Sequence, residues 1–169
     1  EHRRRRRPRG YRRHSRTRIF DDQSLSRRPE RIADRVEFGH WEGDLMLFRK
    51  EHGKINVTSL VERVSRYTVV LRNEDRRSKP IMEAPIQGLS ALPADARQSI
   101  TFDRGTEFSA WQRLKDGIGA DSWFCDPQAP WQKGTVENTN NRLRNFLPCS
   151  TDPTALTNRY LRSICQRLN

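Results

Sequence analysis

Between residues 41 and 71 the apolar positions fall into short runs separated by turn residues. Residues 41–48 are apolar at most positions and predict a strand. After the Glu51-His52-Gly53-Lys54 turn, 55–64 predicts a second strand, with Val57, Ser59 and Val61 alternating against Thr58, Leu60 and Glu62. Ser65-Arg66 makes a tight connection to the β-branched run at 67–71, which predicts a third strand. Strands joined by such short turns form an antiparallel meander.

The pattern then shifts to helical spacing. Residues 78–92 place apolar side chains at 81, 82, 86, 89 and 92, while Pro85 inside the run predicts a late start or a kink. A short fourth strand follows at 99–103. Phe108, Trp111, Leu114 and Ile118 mark one face of a helix over 106–118. Residues 121–125 predict a fifth strand, and Pro127 and Pro130 bracket a loop. A helix over 135–147 stops at Pro148, and Leu161, Ile164 and Leu168 stripe a last helix. The order βββ-α-β-α-β-α-α predicts an α/β fold, a mixed five-stranded sheet flanked by helices.

Charge changes the picture at one end. The chain of 169 residues carries a formal net charge of +12, and residues 1–18 hold ten Arg and one Glu. That segment is a net +9, so the remaining 151 residues carry only about +3. Residues 1–37 are therefore expected to be a basic arm and an irregular lead-in, and 38–169 the folded core. An arm so charged either solubilises the chain or neutralises phosphates by counterion release; Arg3, Arg4, Arg5, Arg6, Arg7, Arg12 and Arg13 are its candidate DNA contacts.

Cys125, Cys149 and Cys165 show no CxxC spacing, and the histidines at 2, 14, 40 and 52 form no HxxxH pair. A disulfide framework and a zinc site are not expected, and a reducing compartment is. No apolar run reaches membrane-spanning length and no secretory h-region is present, so a soluble cytoplasmic protein is expected.

Three acidic residues stand apart from a solvated surface. Asp44 lies inside the first strand, where Asp is disfavoured; Asp103 closes the fourth strand; Glu137 sits in the first turn of a helix, where the macrodipole favours a carboxylate. Ligand sites in α/β sheets gather beyond strand ends, and if strands one and four are neighbours, Asp44 and Asp103 face each other across the sheet. Clustered carboxylates repel unless cations neutralise them, and oxygen donors without His or Cys favour Mg²⁺ or Mn²⁺. Two such ions activate an attacking oxygen and stabilise a leaving one in phosphoryl transfer. Each residue also has a plain reading as turn former or dipole partner. Glu42 shares a strand face with Asp44, and Glu107 competes with Asp103; spacing leaves both choices open.

Glu137, Asn141 and Arg144 share one helix face at i, i+4 and i+7, with Asn138 and Arg142 on neighbouring faces. Such groups suit a DNA backbone, with a solvated polar face as the alternative, above all for Arg142. Trp131, just before the helix, is either a base-stacking platform or a core residue.

Four motifs carry a resemblance. His40-Trp41-Glu42-Gly43-Asp44, Leu60-Val61-Glu62-Arg63 with Ser65-Arg66-Tyr67, Thr101-Phe102-Asp103, and Trp131-Gln132-Lys133-Gly134-Thr135 running into Glu137-Asn138-Thr139-Asn140 resemble the catalytic domain of IS30-family transposases, within the wider DDE transposase and retroviral integrase group. The resemblance covers roughly residues 38–148. It implies a ribonuclease H-like fold with Asp44, Asp103 and Glu137 as catalytic metal ligands, in place of Glu42 and Glu107. It implies Mg²⁺ or Mn²⁺, two ions, and double-stranded DNA as partner, with Lys133, Asn138, Asn141 and Arg144 near it. It also implies cleavage at transposon ends, strand transfer into target DNA, and a dimer or larger assembly on DNA. Two departures are visible. Asp103-Arg104-Gly105 stands where the family usually reads Asp-Asn-Gly, and the arm is expected to be the linker after an end-binding region that is not evident. A catalytically disabled, DNA-binding relative is the alternative, and a nuclease that only hydrolyses is a third.

Overall fold

The computed structural model describes residues 18–169, so the arginines at 3–13 lie outside the described residues. The sheet contains β1 (His40–Leu47), β2 (Asn56–Glu62), β3 (Thr68–Asn73), β4 (Ser99–Phe102) and β5 (Asp121–Phe124), in the order β3-β2-β1-β4-β5. β1, β2 and β3 form the expected antiparallel meander, and β4 and β5 add parallel to β1. The mixed five-stranded sheet is as expected.

The short helix α1 (Glu30–Ala33) precedes the sheet; α2 (Ser78–Leu89), α3 (Gln112–Ile118), α4 (Gly134–Leu143) and α5 (Asn158–Leu168) cover it. One apolar cluster joins Trp41 and Leu60 of the sheet to Ile81 and Met82 of α2 and Leu114 of α3. A second joins Met46, Val57 and Val70 to Leu143 of α4 and to Leu161 and Ile164 of α5. With both faces covered, β2 is buried at every position, and its sequence alternation sorts residues between two cores, not between core and water.

Three expectations need correction. α2 starts at Ser78 and runs through buried Pro85, which removes a single N–H that would have bonded the Ile81 carbonyl. The helix expected over 106–118 is split into a 3₁₀ turn, Thr106–Phe108, and α3 from Gln112. The Ala110 N–H donates to Ser78 Oγ at 2.6 Å, a tertiary bond that replaces a helical one. The lead-in is also packed. A 3₁₀ turn, Arg18–Gln23, seats Phe20 against Phe124 with ring centroids 4.4 Å apart, and the folded unit therefore begins before residue 38. Gly39, with φ +93°, turns the lead-in into β1; a Cβ there would lie 2.1 Å from the Asp95 carbonyl oxygen.

Candidate active site at the ends of the central strands

β1 and β4 pair in parallel from His40↔Ser99 to Glu42↔Thr101. Asp44 and Asp103 each stand two residues beyond that last pair, so the backbone ladder brings them side by side. Gly43 makes the approach close: a Cβ there would lie 2.5 Å from the Phe102 ring. Asp44 shares its strand face with Met46, which packs in the α4 and α5 cluster, so the acid points toward α4.

α4 is held from below. The Val136 N–H donates to Glu42 Oε2 at 3.0 Å, and Arg63 Nε lies 3.3 Å from Glu42 Oε1. Arg66 donates to Thr135 Oγ1 at 2.7 Å. Glu42, fully buried, thus fixes the first turn of the helix that presents Glu137. Glu62, in the second motif, anchors backbone in the same way. It accepts from Gly39 N, Val64 N and Ser65 N and closes the β2–β3 turn.

Asp44, Asp103 and Glu137 line one cleft of about 300 Å³. Lys133 reaches into it, with Nζ 2.9 Å from Asp44 Oδ1 and 3.3 Å from Asp103 Oδ2. Burial works against the charge of Lys133, but Asp44 and Asp103 outweigh it and hold the ammonium above the usual lysine range. Asn140 donates to Asp44 Oδ2 at 2.8 Å, and the Gly105 N–H donates to Asp103 Oδ1 at 2.9 Å. Glu137, half-buried, makes no hydrogen bond or ion pair among the described residues. Cys125 also lines the cleft, where burial pushes its thiol up to about 12, so it stays a neutral wall and not a nucleophile. A larger groove of about 550 Å³ along the outer edge of β3 has no Asp or Glu among its described lining residues.

The other sequence candidates fall in several places. Asn141 and Arg144 continue the cleft past Asp44 and Glu137. Arg144 donates to the Leu47 and Leu147 carbonyls at 3.0 and 3.2 Å. Asn138 and Arg142 are exposed on α4. Lys133, expected at the DNA surface, is instead 4% exposed and turned onto the acids. Glu107 pairs with Arg76 at 2.9 Å. Arg104 donates to Asp21 Oδ1 at 2.6 Å and to the Cys125 carbonyl at 2.9 Å; it ties the β4 and β5 ends to the lead-in and does not lie between the acids. Asn140 and the bridging role of Lys133 were not foreseen; position i+3 from Glu137 was the available signal for Asn140.

Among the described residues no group of three His, Cys, Asp or Glu side chains is drawn tight enough to hold an ion. The donor set nevertheless fits a hard cation, because the Asp44 and Asp103 oxygens already share one positive charge, the Lys133 ammonium. Among the same residues no helix is long and apolar enough to cross a membrane.

No protein-family model matches the chain. It is 36% identical over 151 residues to the transposase InsI of insertion sequence element IS30C from Escherichia coli (strain K12), covering 89% of this chain and 39% of that protein. It is 37% identical over 151 residues to the transposase of IS1086 from Cupriavidus metallidurans, covering 89% and 44%. The chain thus spans less than half the length of these curated relatives. Its fold matches the HTLV-2 integrase catalytic core domain, solved in complex with magnesium, with a TM-score of 0.58 and 20% identity over 79% of this chain and 88% of that one.

Proposed function

This chain is a homologue of the IS30-type transposases over most of its length, and we propose that it is the catalytic core of a DNA transposase that cuts at transposon ends and joins the freed end to target DNA. The observation that carries this reading is the opening of Asp44, Asp103 and Glu137 onto one cleft beyond the ends of parallel neighbours. Water attacks the phosphodiester first; the released 3′-hydroxyl then attacks a target phosphodiester, forming one P–O bond as another breaks.

Asp44, Asp103 and Glu137 would hold Mg²⁺ or Mn²⁺, which supplies activation of the attacking oxygen and stabilisation of the leaving one. Asn140 fixes the Asp44 carboxylate, and Glu42 fixes the helix turn that carries Glu137. Lys133 holds the acidic pair together, and a divalent ion held by those acids would supply the positive charge that its ammonium supplies here. Asn141, Arg144 and exposed Asn138 line the path of the DNA backbone, and Arg3, Arg4, Arg5, Arg6, Arg7, Arg12 and Arg13 of the arm bind further phosphates. Joining two ends calls for two active sites, so a dimer or larger assembly forms on DNA.

The test is Mg²⁺-dependent transfer of a labelled pre-cut end into plasmid DNA, with the end sequence taken from the inverted repeats flanking the source gene. Joined product from wild type and none from Glu137→Gln is expected. DNA binding without any product from wild type would instead favour the disabled, DNA-binding alternative.

A further inference from the structure

A cationic cleft with an aromatic lip lies beside the acidic one. Arg28, Arg35, Arg63, Trp131 and Gln132 line a cavity of about 380 Å³ between the lead-in and the loop before α4. That volume is within the range of small-ligand sites. Asp126 borders both clefts.

The charges here do not balance. Arg63 and Arg35 share one buried carboxylate, Glu42, at 3.3 and 3.7 Å. Arg63 is further committed to the Ile32 carbonyl. Arg28 is half-buried, donates to Thr101 Oγ1 at 3.3 Å, and makes no ion pair among the described residues. Burial, and after it the repulsion of Arg63, pushes the Arg28 guanidinium down to about 10. Asp126 makes no ion pair with these arginines among the described residues; its oxygens accept from Ser24 Oγ at 3.1 Å and Gln132 Nε2 at 3.0 Å. A half-buried guanidinium without a counterion is costly unless an anion joins it.

The lip adds a second chemistry. Trp131 is 72% exposed, whereas Trp41 is buried and Trp111 and Trp123 are half-buried. An inorganic anion would explain the guanidinium groups and leave the indole idle; an apolar ligand would do the reverse. A nucleotide satisfies both, with a phosphate for the arginines and a flat base for the indole face.

We propose that this cleft seats a single unstacked nucleotide of the DNA, its phosphate on Arg28 and Arg35 and its base on Trp131. The proposal rests on the transposase reading and deepens it, because the seat adjoins the acidic cleft and would hold a frayed or overhanging strand beside the scissile phosphate.

The experiment compares two labelled probes, a blunt duplex and the same duplex with a short single-stranded 5′ overhang, by fluorescence anisotropy. Wild type should bind the overhang probe more tightly, and Trp131→Ala should lose roughly tenfold on that probe alone. Arg35→Gln, at an exposed position, should narrow the same gap; because Arg35 also lies 3.7 Å from Glu42, an unchanged thermal midpoint is the control that the fold is kept. Equal affinity of wild type for both probes, or an overhang preference surviving in both variants, overturns the proposal. Failure of wild type to bind either probe overturns the transposase reading and this proposal with it, so the two failures are distinguishable.

Discussion

At the scale of single residues the site turns on Lys133. Its side chain is 5% exposed and sits between carboxylates that are 24% and 49% exposed. Removing the ammonium leaves Asp44 and Asp103 facing each other without a counterion. Lys133→Gln should therefore lower metal-free stability by about 1–3 kcal/mol, less than the loss on breaking a fully buried pair because Asp103 is half exposed. It should also remove a competitor for the metal. The rise in thermal midpoint on adding Mg²⁺ should be larger in the variant than in wild type, as read by differential scanning fluorimetry; equal rises would show that the lysine and the ion do not compete. Asp44 was legible because an acid inside a strand contradicts strand preference. Lys133 was not, because its partners lie 89 and 30 residues away and a basic residue in a Pro-bounded loop carries no periodic signal. Asn140 shows the same limit. Helical spacing puts i+3 and i+4 equally near Glu137, and only the position of β1 selects Asn140 as the partner of Asp44. Arg104 looks like a metal-site residue until Asp21, 83 residues away, is placed beside it.

At the scale of elements, α4 matters most, because its first turn carries Glu137 and its anchor is ionic. Glu42 accepts the Val136 N–H and pairs with Arg63, both groups buried. Glu42→Gln keeps an acceptor for the N–H but leaves the Arg63 charge uncompensated, and should cost about 3–5 kcal/mol. A drop in urea midpoint with an unchanged slope is the expected readout; an unmoved midpoint would show that Arg63 finds another partner. Strands were legible to within a residue or two, because Gly53, Ser65-Arg66 and Pro127 punctuate them. The break between residues 108 and 112 was not, since it depends on a hydrogen bond from Ala110 to Ser78. Phe20 was missed for a related reason: a lone aromatic in a charged lead-in gives no pattern until Phe124 and Phe102 supply the surface it covers.

At the scale of the molecule, charge is divided between a nearly neutral folded part and a strongly basic arm. In the proposed function these supply chemistry and grip separately, and the two should respond differently to salt. Deleting residues 1–17 should flatten the plot of log affinity for duplex DNA against log salt, by about 0.9 for each phosphate that the arm neutralises. Parallel plots for the two chains would remove the arm from the binding account. The place where the arm joins the folded part adds a further consequence. The chain enters through the Arg18–Gln23 turn, and Asp21 within it grips Arg104, next in sequence to Asp103. The residues that follow the arm are thus held at the rim of the acidic cleft. A residue of chain spans at most about 3.6 Å, so in the proposed function a phosphate bound by Arg12 or Arg13 would stay within roughly 25 Å of that rim. Re-encounter of such a duplex with the acids would then be intramolecular, and the local concentration of substrate would depend on that reach more than on how much DNA is in solution.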